Sequence, residues 1–228
     1  MKLELRLVRR DRAAEAREVT VRHLVIAGWT GRDAAATEAH IRELEAIGVP
    51  RPAAVPTFYR AAAGLLTTSP AIQVLGGDSS GEVEPVLVVL GGELWIGLGS
   101  DHTDRGAERS GVSLAKQLCA KPVGREFWLF SEVADHWDEV VLRSWAVHGG
   151  ERRLYQEGPA AALLRPEDLL ARYRTQAAWA SGTAMFCGTL PVIGALGHAD
   201  RFEVRLADPV LGRSIDAAYD VEVLPVVT

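Results

Sequence analysis

The stretch from residue 72 to residue 99 constrains the fold most strongly. An apolar run over residues 83–90 is followed by Gly91-Gly92 and then by a second β-rich run over residues 93–98. Two glycines between such runs are typical of a two-residue hairpin turn, in which both turn residues adopt positive φ. The sequence therefore predicts an antiparallel hairpin, in which the second strand ends beside the start of the first.

Most other segments between turn signals are also short and β-like. Because strands do not alternate regularly with helices, the chain predicts a β-rich α+β fold with few helices, and not a doubly wound parallel sheet. Residues 201–207 and 215–223 are expected to pair across the turn that begins at Asp208-Pro209. The other predicted strands cover residues 2–8, 19–26, 126–130, 140–147, 153–155 and 184–187.

Two segments carry the signals of a helix. The first covers residues 33–47, and either Thr30 or Asp33 can cap its N-terminus. The second covers residues 166–174, which begin with proline and have acidic residues in the first turn. Residues 51–69 predict a loop followed by a short helix or strand. The first helix has a later apolar stripe of Ile41, Leu44 and Ile47, and its stop signals are Gly48 and Pro50.

Length and charge limit the possible partners. The chain has 228 residues and a formal net charge of -5, with 25 lysines and arginines against 30 acidic residues. Nucleic-acid binders usually carry a basic surplus, so we expect none here, and the mixed charges over residues 9–18 indicate a solvated face or a turn. No apolar run approaches the roughly 18 residues that a membrane span needs. We expect a cytoplasmic protein, and Cys119 and Cys187 fit a reducing compartment.

Glu82 and Glu84 form the sharpest local pattern in the chain. They are two residues apart, and on a strand such residues point to the same face. Two carboxylates on a half-buried face repel each other, and a bound cation removes that conflict. Carboxylate oxygens suit Mg, Mn or Ca better than Cu or a structural Zn. The alternative is an edge strand with a hydrated acidic outer face.

Asp101 follows the second strand of the predicted hairpin. The hairpin would bring Asp101 beside Glu82 and Glu84, so that three carboxylates share one site and leave positions open for water and substrate. The alternative is a polar turn in which Asp101 or Asp104 caps the next segment. Asp104 also competes with Asp101 as the third ligand.

Other patterns could contribute catalytic groups. His40 and Glu43 are three apart on the first predicted helix, where the carboxylate can orient the imidazole as a general base; a solvated helix flank is the alternative. Lys116 can hold a carboxylate or an oxyanion, or be an ordinary surface lysine. Gly188-Thr189 can bind an anion or form a plain turn. We interpret Cys119 as structural and Trp95 and Trp145 as core residues, and His23, His136, His148 and His198 show no metal-ligand spacing.

The order of these patterns resembles that of the fumarylacetoacetate hydrolase superfamily, and within it the bacterial proteins known as DUF2848. Residues 80–84, S-G-E-V-E, resemble the S-G-E-x-E metal motif of that superfamily, and residues 100–105, S-D-H-T-D-R, resemble its N-D-x-[ST]-A-R segment. Residues 115–116, A-K, and 187–189, C-G-T, are similar to the later [GA]-K and T-G-T patterns. Residues 40–43, H-I-R-E, resemble the H-x-x-E lid segment.

This resemblance implies mixed β-sheets rolled around a metal site. It implies Mg or Mn as the cofactor, a small anionic substrate, a homodimer, and a single catalytic domain over residues 1–228, with N-terminal strands at 1–28 and a lid-like helical segment at 29–70. The implied ligands are Glu82, Glu84 and Asp101. The implied catalytic residues are His40, Glu43 and Lys116, and the implied substrate-binding residues are Arg105, Gly188 and Thr189.

The implied reaction is hydrolysis of a carbon–carbon bond in a small 2-oxo or diketo acid, with the metal stabilising the enolate. Decarboxylation, hydration and isomerisation use the same enolate-stabilising groups, so they remain alternatives. A metabolite-binding module without catalysis is a further alternative, because a fold by itself does not determine the reaction.

Overall fold

A computed structural model describes residues 1–46, 48 and 51–227, apart from the side chain of Leu44. Strands dominate the described chain, and three α-helices and five short 3₁₀-helices lie among them. The strands are β1 Lys2–Arg9, β2 Arg12–Thr20, β3 His23–Gly28, β4 Thr57–Ala61, β5 Leu66–Thr67, β6 Ala71–Leu75, β7 Ser79–Ser80, β8 Val83–Leu90, β9 Glu93–Ser100, β10 Thr103–Asp104, β11 Lys121–Leu129, β12 Val141–His148, β13 Glu151–Pro159, β14 Thr183–Phe186, β15 Arg201–Asp208 and β16 Arg213–Leu224.

The helices are short and sit between the strands. The 3₁₀-helices cover Ala63–Leu65, Ala107–Ser110, Phe130–Glu132, Ala134–Glu139 and Ala160–Ala162. The α-helices are α1 Ala34–Ala46, α2 Val112–Leu118 and α3 Pro166–Gln176.

The strands form two large mixed sheets and one small one. The larger sheet has nine strands in the order β2-β1-β11-β9-β8-β14-β3-β4, with β5 paired to β11. The second sheet has five strands in the order β13-β12-β15-β16-β6, and β7 pairs with β10 in a two-stranded ladder. Parallel pairs such as β1 with β11 and β14 with β3 occur beside antiparallel ones. The expected β-rich fold of mixed sheets is therefore confirmed.

Apolar side chains cover both faces of the nine-stranded sheet. On one face, Val83 and Leu87 of β8 share a core cluster with Leu142 and Leu206 of the five-stranded sheet. On the other face, a second cluster joins β1 to β3, although these strands are far apart in the sheet order. A sheet must curl for such distant strands to share a core, which accounts for its rolled shape. Strands buried on both faces read as continuous apolar runs, and β8 has that pattern.

The predicted hairpin forms from β8 and β9. Val83 pairs with Ser100 and Glu84 with Gly99, and the turn consists of Gly91 and Gly92, both at positive φ. Only glycine adopts two consecutive positive φ values without steric cost, so this turn fixes the register of the pair. The register in turn places residue 101 opposite residue 82.

One strand prediction near the N-terminus was wrong in detail. The strand predicted over residues 19–26 is interrupted, because β2 pairs with β1 while β3 pairs with β14 and β4. Between them, the Arg22 and His23 amides both donate to the carbonyl of Gly182, at 2.7 and 3.1 Å. The charged residues 9–18 do form a solvated face, since most of them lie in β2, an exposed edge strand.

The first predicted helix is present as α1, and Asp33 is its N-cap. The Asp33 carboxylate accepts hydrogen bonds from the amides of Ala35 and Ala36, at 2.9 and 3.0 Å. Ile41 is buried, as its place in the apolar stripe predicts. The Leu44 side chain, Ile47 and Pro50 lie outside the described residues, and Gly48 is a turn residue at positive φ.

Other elements differ in length or were missed. Helix α3 and the strands paired as β15 and β16 are present, each slightly longer than predicted. Segment 51–69 contains β4, a 3₁₀-helix and β5. Helix α2 had no prediction, because it has seven residues and its Leu114 and Leu118 are exposed, which leaves no apolar stripe in the sequence.

Candidate metal centre

Three carboxylates meet at the start of β8 and the end of β9. Glu84 lies in β8, Glu82 directly precedes it, and Asp101 directly follows β9. One carboxylate oxygen of each lies within 4.8 Å of the others. The Asp101 amide donates to the Glu82 carbonyl at 2.9 Å, so the backbone continues the hairpin ladder through the site. The predicted meeting of these three side chains is thus present in the structure.

Glu84 is a buried carboxyl group with few partners. Its side chain accepts a hydrogen bond from the Gly188 amide at 2.7 Å, and the residue is 2% exposed. Burial, and then the charge of Asp101, raise the pKa of Glu84 well above its usual range. A carboxylate in this position gains most from a cation that compensates both effects.

Asp101 is paired with two lysines. Its Oδ2 contacts the Lys116 ammonium, and its Oδ1 lies 3.0 Å from the Lys121 ammonium. Burial raises the pKa of Asp101, but the two lysines outweigh it and bring the pKa down to about 2. Both lysines are buried, so each depends on this carboxylate for compensation of its charge.

Glu82 and Arg105 form the outer side of the site. Arg105 Nη2 lies 3.1 Å from Glu82 Oε1, and Arg105 also donates to Ser80 and pairs with Glu108. The Lys116 ammonium lies 3.6 Å from Glu82 Oε2, which places it between two of the three carboxylates. Positive side chains therefore converge on the acidic group from two sides.

The donor set fits a hard divalent cation. Three carboxylates provide only oxygen ligands, which Mg, Mn and Ca prefer. The contact of Lys116 with Asp101 and Glu82 shows that the group attracts positive charge. A cation held by Glu82, Glu84 and Asp101 would relieve the repulsion that raises the pKa of Glu84.

Asp104 has a different position from Asp101. Its Oδ1 accepts a hydrogen bond from the Ala107 amide at 2.9 Å and so caps the 3₁₀-helix Ala107–Ser110. Within residues 1–46, 48 and 51–227, the acidic cluster at this end of the hairpin contains Asp101 and not Asp104. The sequence allowed either Asp101 or Asp104 to cap the next segment, and in the structure Asp104 does so.

Gly188 and Thr189 lie against β8. Gly188 has φ 97°, and a Cβ atom there would lie 1.7 Å from Thr30 Oγ1, so only glycine fits. The Thr189 hydroxyl donates to the Val83 carbonyl and accepts from Gln156 Nε2, both at 2.8 Å. These bonds hold the turn beside Glu84.

A buried polar network supports the loop after β9. His102 contacts Tyr219 through Nδ1 at 3.0 Å and Ser79 through Nε2 at 2.9 Å. Lys121 donates to the His102 carbonyl at 2.5 Å. Burial, and then the charge of Lys121, lower the pKa of His102 to about 3, which keeps the imidazole neutral. The network positions Asp101 without adding a titrating group.

His40 and Glu43 lie on the exposed side of α1. His40 Nδ1 is 3.4 Å from Glu43 Oε2, and the side chains are 61% and 75% exposed. For the described part of the chain, no hydrogen bond or ion pair connects the pair to the three carboxylates. The helical spacing brings the two residues together, but the structure leaves them open to solvent.

A line of aromatic residues runs from His40 towards the carboxylates. The His40 and Trp29 ring centroids are 6.0 Å apart, and Trp29 Nε1 donates to the Tyr59 hydroxyl at 3.2 Å. The Lys116 ammonium lies 5.9 Å from the centroid of the Tyr59 ring. Trp29 has φ 59°, an uncommon backbone conformation for a bulky residue. Helix α1 is therefore connected to the acidic site through two side chains.

Sequence reasoning missed several residues of this site. Lys121 and Tyr219 belong to no recognisable motif, and only the fold brings them to the loop that carries Asp101. Gln156 accepts from the Val83 amide and donates to Thr189, which links the two large sheets. Trp29 and Tyr59 could have been considered because they flank the predicted first helix, but no spacing rule identifies them.

Comparison with known proteins identifies the family and the fold. A family model described as "Protein of unknown function (DUF2848)" matches residues 27–219. No curated protein sequence matches the chain. The structure is similar to a fumarylacetoacetate hydrolase family protein from yeast, at 18% identity and a TM-score of 0.61, over 89% of this chain and 93% of that one.

Two further solved structures share the fold. One is 2-keto-3-deoxy-D-arabinonate dehydratase complexed with magnesium and 2,5-dioxopentanoate, with 15% identity, a TM-score of 0.65 and coverage of 93% and 77% of the two chains. The other is 4-oxalocrotonate decarboxylase from Pseudomonas putida G7 complexed with calcium and acetate, with 15% identity, a TM-score of 0.55 and coverage of 90% and 78%. The chain therefore has the fumarylacetoacetate hydrolase fold. None of the described helices is long and apolar enough to cross a membrane.

Proposed function

The chain belongs to the DUF2848 family, and we propose that it is a Mg- or Mn-dependent enzyme that acts on a small 2-oxo acid. The observation that carries this proposal is the meeting of Glu82, Glu84 and Asp101 within 4.8 Å, with positive side chains around them. Two proteins of the same fold have magnesium or calcium bound, which is consistent with a hard cation here.

A divalent cation at this site would act as a Lewis acid and spread the negative charge that develops on a 2-oxo acid substrate. The surrounding side chains bind and orient the substrate. Lys116 and Arg105 both lie beside the carboxylate of Glu82. A substrate carboxylate could replace Glu82 as the partner of these two side chains. Burial opposes the charged form of Lys116, but the three carboxylates raise its pKa, which keeps it cationic.

Gly188 and Thr189 are proposed to face the far end of the substrate. The Gly188 amide already donates to Glu84, and the Thr189 hydroxyl already donates to Val83. Thr189 can therefore donate to a substrate carboxylate only if its bond to Val83 opens. While the bond to Val83 is intact, Thr189 holds the turn close to Glu84.

His40, oriented by Glu43, is proposed as the general base. In hydrolysis of a diketo acid, the base takes a proton from water, the hydroxide adds to the distal carbonyl, and the carbon–carbon bond breaks. The carbon that leaves then takes a proton. Since His40 is exposed, this step requires α1 to move towards the carboxylates, and the contacts of Trp29 and Tyr59 lie along that path.

The exposure of His40 also favours a second candidate, a lyase or isomerase that acts on the same substrate class. Decarboxylation, dehydration and isomerisation need the charge-stabilising site but do not need a water-activating base. A dehydratase and a decarboxylase share this fold, which is consistent with that candidate. We propose hydrolysis first, because the pair of His40 and Glu43 could activate a water molecule.

We further propose a cytoplasmic homodimer with one catalytic domain over residues 1–228. Cys119 and Cys187 are free thiols in the described chain, and both are buried. Burial raises the pKa of Cys119 to about 11, so the thiol stays protonated and is a poor nucleophile. These features are consistent with a reducing compartment.

Calorimetric titration with Mg²⁺ and Mn²⁺ tests the proposed site. Wild type is expected to bind one ion per chain, Glu84→Gln is expected to lose that binding, and Asp104→Asn is the matched control that should retain it. Absence of binding in wild type would mean that the lysines already neutralise the carboxylates, and would favour a metabolite-binding module without catalysis.

A second experiment separates the candidate reactions. Wild type with bound Mn²⁺ is screened against small 2-oxo and diketo acids, and the products are identified by mass. Products that together gain the mass of one water would support hydrolysis, whereas loss of carbon dioxide or water, or an unchanged mass, would identify a lyase or an isomerase. Loss of turnover in His40→Gln with unchanged metal affinity would support His40 as the base.

A further inference from the structure

A second group of possible metal ligands lies away from the carboxylate centre. His148 is the last residue of β12, and His198 and Asp200 precede β15. Ligand atoms of the three side chains lie within 4.8 Å of one another. His148 is far from the other two residues in sequence, and antiparallel pairing of β12 with β15 brings it beside them. The absence of a spacing motif for His148 and His198 therefore did not exclude a shared site.

The distances suit a small tetrahedral ion. His148 Nδ1 lies 3.4 Å from Asp200 Oδ1, and His198 Nε2 lies 3.8 Å from the same oxygen. With bonds of about 2.0–2.1 Å, the ligand atoms of a tetrahedral zinc ion lie roughly 3.3 Å apart. The two nitrogen–oxygen distances exceed that value by only tenths of an ångström.

Asp200 is held in the orientation that a ligand needs. Its Oδ2 accepts a hydrogen bond from the Gly149 amide at 2.7 Å, and its Oδ1 is left facing both histidines. Its backbone is fixed on both sides, since its amide donates to Val147 and its carbonyl accepts from Val221. Such support of a ligand by neighbouring groups is typical of metal sites.

His198 presents one ring nitrogen to the group. Its side chain is 21% exposed, and its Nδ1 is buried without a hydrogen-bond partner in the described structure. The polar contact of the ring is therefore made through Nε2, which faces Asp200. The imidazole rings of His148 and His198 lie nearly perpendicular, with centroids 6.1 Å apart. Both rings could therefore bind the same ion.

We propose that His148, His198 and Asp200 form a second metal site, which takes a borderline transition-metal ion such as Zn²⁺. Two imidazoles and one carboxylate suit zinc, whereas the all-carboxylate centre suits Mg or Mn. His148 and Asp200 are 72% and 54% exposed, which leaves a fourth position for water.

A metal at this site would anchor the segment that follows β14. The segment begins with Gly188 and Thr189 beside Glu84 and ends at Asp200. Residues 193–197 are exposed, and in the described chain the Ile193 amide bonds to the Tyr155 carbonyl near the start of this stretch. The ion would link the far end of the segment to the β12–β13 turn.

Zinc titration of tag-free protein in excess Mg²⁺ tests the site. We expect one zinc per chain for wild type, and affinity at least about tenfold weaker in His148→Gln and in His198→Gln. His23→Gln, a histidine outside the group, is the matched control and should bind as wild type does. Equal zinc affinity in wild type and both site variants would overturn the proposal.

Limited proteolysis provides a second measurement. Zinc is expected to slow cleavage within residues 193–197 severalfold in wild type but not in His148→Gln, whose exposed side chain can be replaced without disturbing the core. Zinc binding that Glu84→Gln abolishes and His148→Gln retains would place the ion at the carboxylate centre instead and contradict the second site.

Discussion

The carboxylate centre and helix α1 contrast in how they are held. Glu84, Asp101 and Lys116 are all buried. Glu84 accepts a hydrogen bond from the Gly188 turn, and Asp101 contacts Lys116 of α2. His40 and Glu43 are exposed, and their contact at 3.4 Å is with each other. The first region is organised before any ligand arrives, whereas the second can reach a ligand only by moving.

The same contrast appears in the ion pairs. Lys116 and Lys121 meet Asp101 in the interior, where loss of one partner leaves an uncompensated buried charge. On α1, Glu38 pairs with Arg42 and Arg51 at the surface, where water screens the charges and such pairs contribute little. Loss of the Asp101 charge should therefore reduce stability, whereas replacement of an exposed charged side chain on α1 should leave stability nearly unchanged.

Replacement of the proposed general base should give the largest effect. His40→Gln is expected to lower kcat by about 10²–10⁴-fold, because a positioned base contributes that much to proton transfer. The free energy of unfolding should change by less than about 0.5 kcal/mol, since the side chain is exposed. Steady-state kinetics and urea unfolding measure both quantities, and Arg42→Gln on the same helix is the control. An unchanged kcat would remove His40 from the mechanism.

Replacement of the buried aspartate should have the largest effect on stability. Asp101→Asn is expected to reduce the free energy of unfolding by about 3–5 kcal/mol, because Lys116 and Lys121 lose their shared counter-charge. Glu84→Gln, also buried, should cause no such loss in metal-free protein, since it removes a carboxylate that repels Asp101. Urea unfolding with a chelator present compares the two variants. Equal destabilisation would contradict the distinction.

Metal removal should affect the centre and not the helix. Mg²⁺ at about 100 times its Kd should raise the free energy of unfolding of wild type by about 2.7 kcal/mol, and a chelator should reverse the gain. Glu84→Gln should show no gain, while His40→Gln should show the full one. Thermal unfolding with and without Mg²⁺ makes the comparison, and a gain in Glu84→Gln would place the ion elsewhere.

Lys116 should oppose metal binding while supporting catalysis. Because its ammonium contacts Asp101 and Glu82, Lys116→Met is expected to tighten Mg²⁺ binding by about tenfold while turnover falls. Calorimetry and kinetics on the same preparation test this pair of opposite changes. Weaker metal binding would show that the lysine organises the carboxylates and does not compete with the ion.

The smallest effect should come from the connection between the regions. Tyr59→Phe removes the acceptor of the Trp29 indole bond, and should cost about 0.5–1.5 kcal/mol of stability. If the aromatic line guides α1 towards the site, kcat should also fall, with metal affinity unchanged. Tyr155→Phe is the control, because the Tyr155 hydroxyl is buried without a described hydrogen bond.

The sequence predicted the parts that depend on local patterns. The Gly91-Gly92 turn and its flanking apolar runs specified the hairpin, and that hairpin was sufficient to place Asp101 beside Glu82 and Glu84. The β-rich fold followed from the spacing of turns and short strands. Helix α2 could not be predicted, because its orientation depends on burying Lys116 and Ala115 and not on an apolar stripe.

The sequence alone determined that three carboxylates would share one end of a hairpin, since strand periodicity and turn chemistry act over a few residues. Only the tertiary structure decided that Asp104 caps a 3₁₀-helix, that Lys121 reaches Asp101, and that the His40 side chain is exposed. It also brought His148 to His198 and Asp200 across two paired strands. These arrangements depend on contacts between distant segments, which burial and strand pairing select and local spacing does not record.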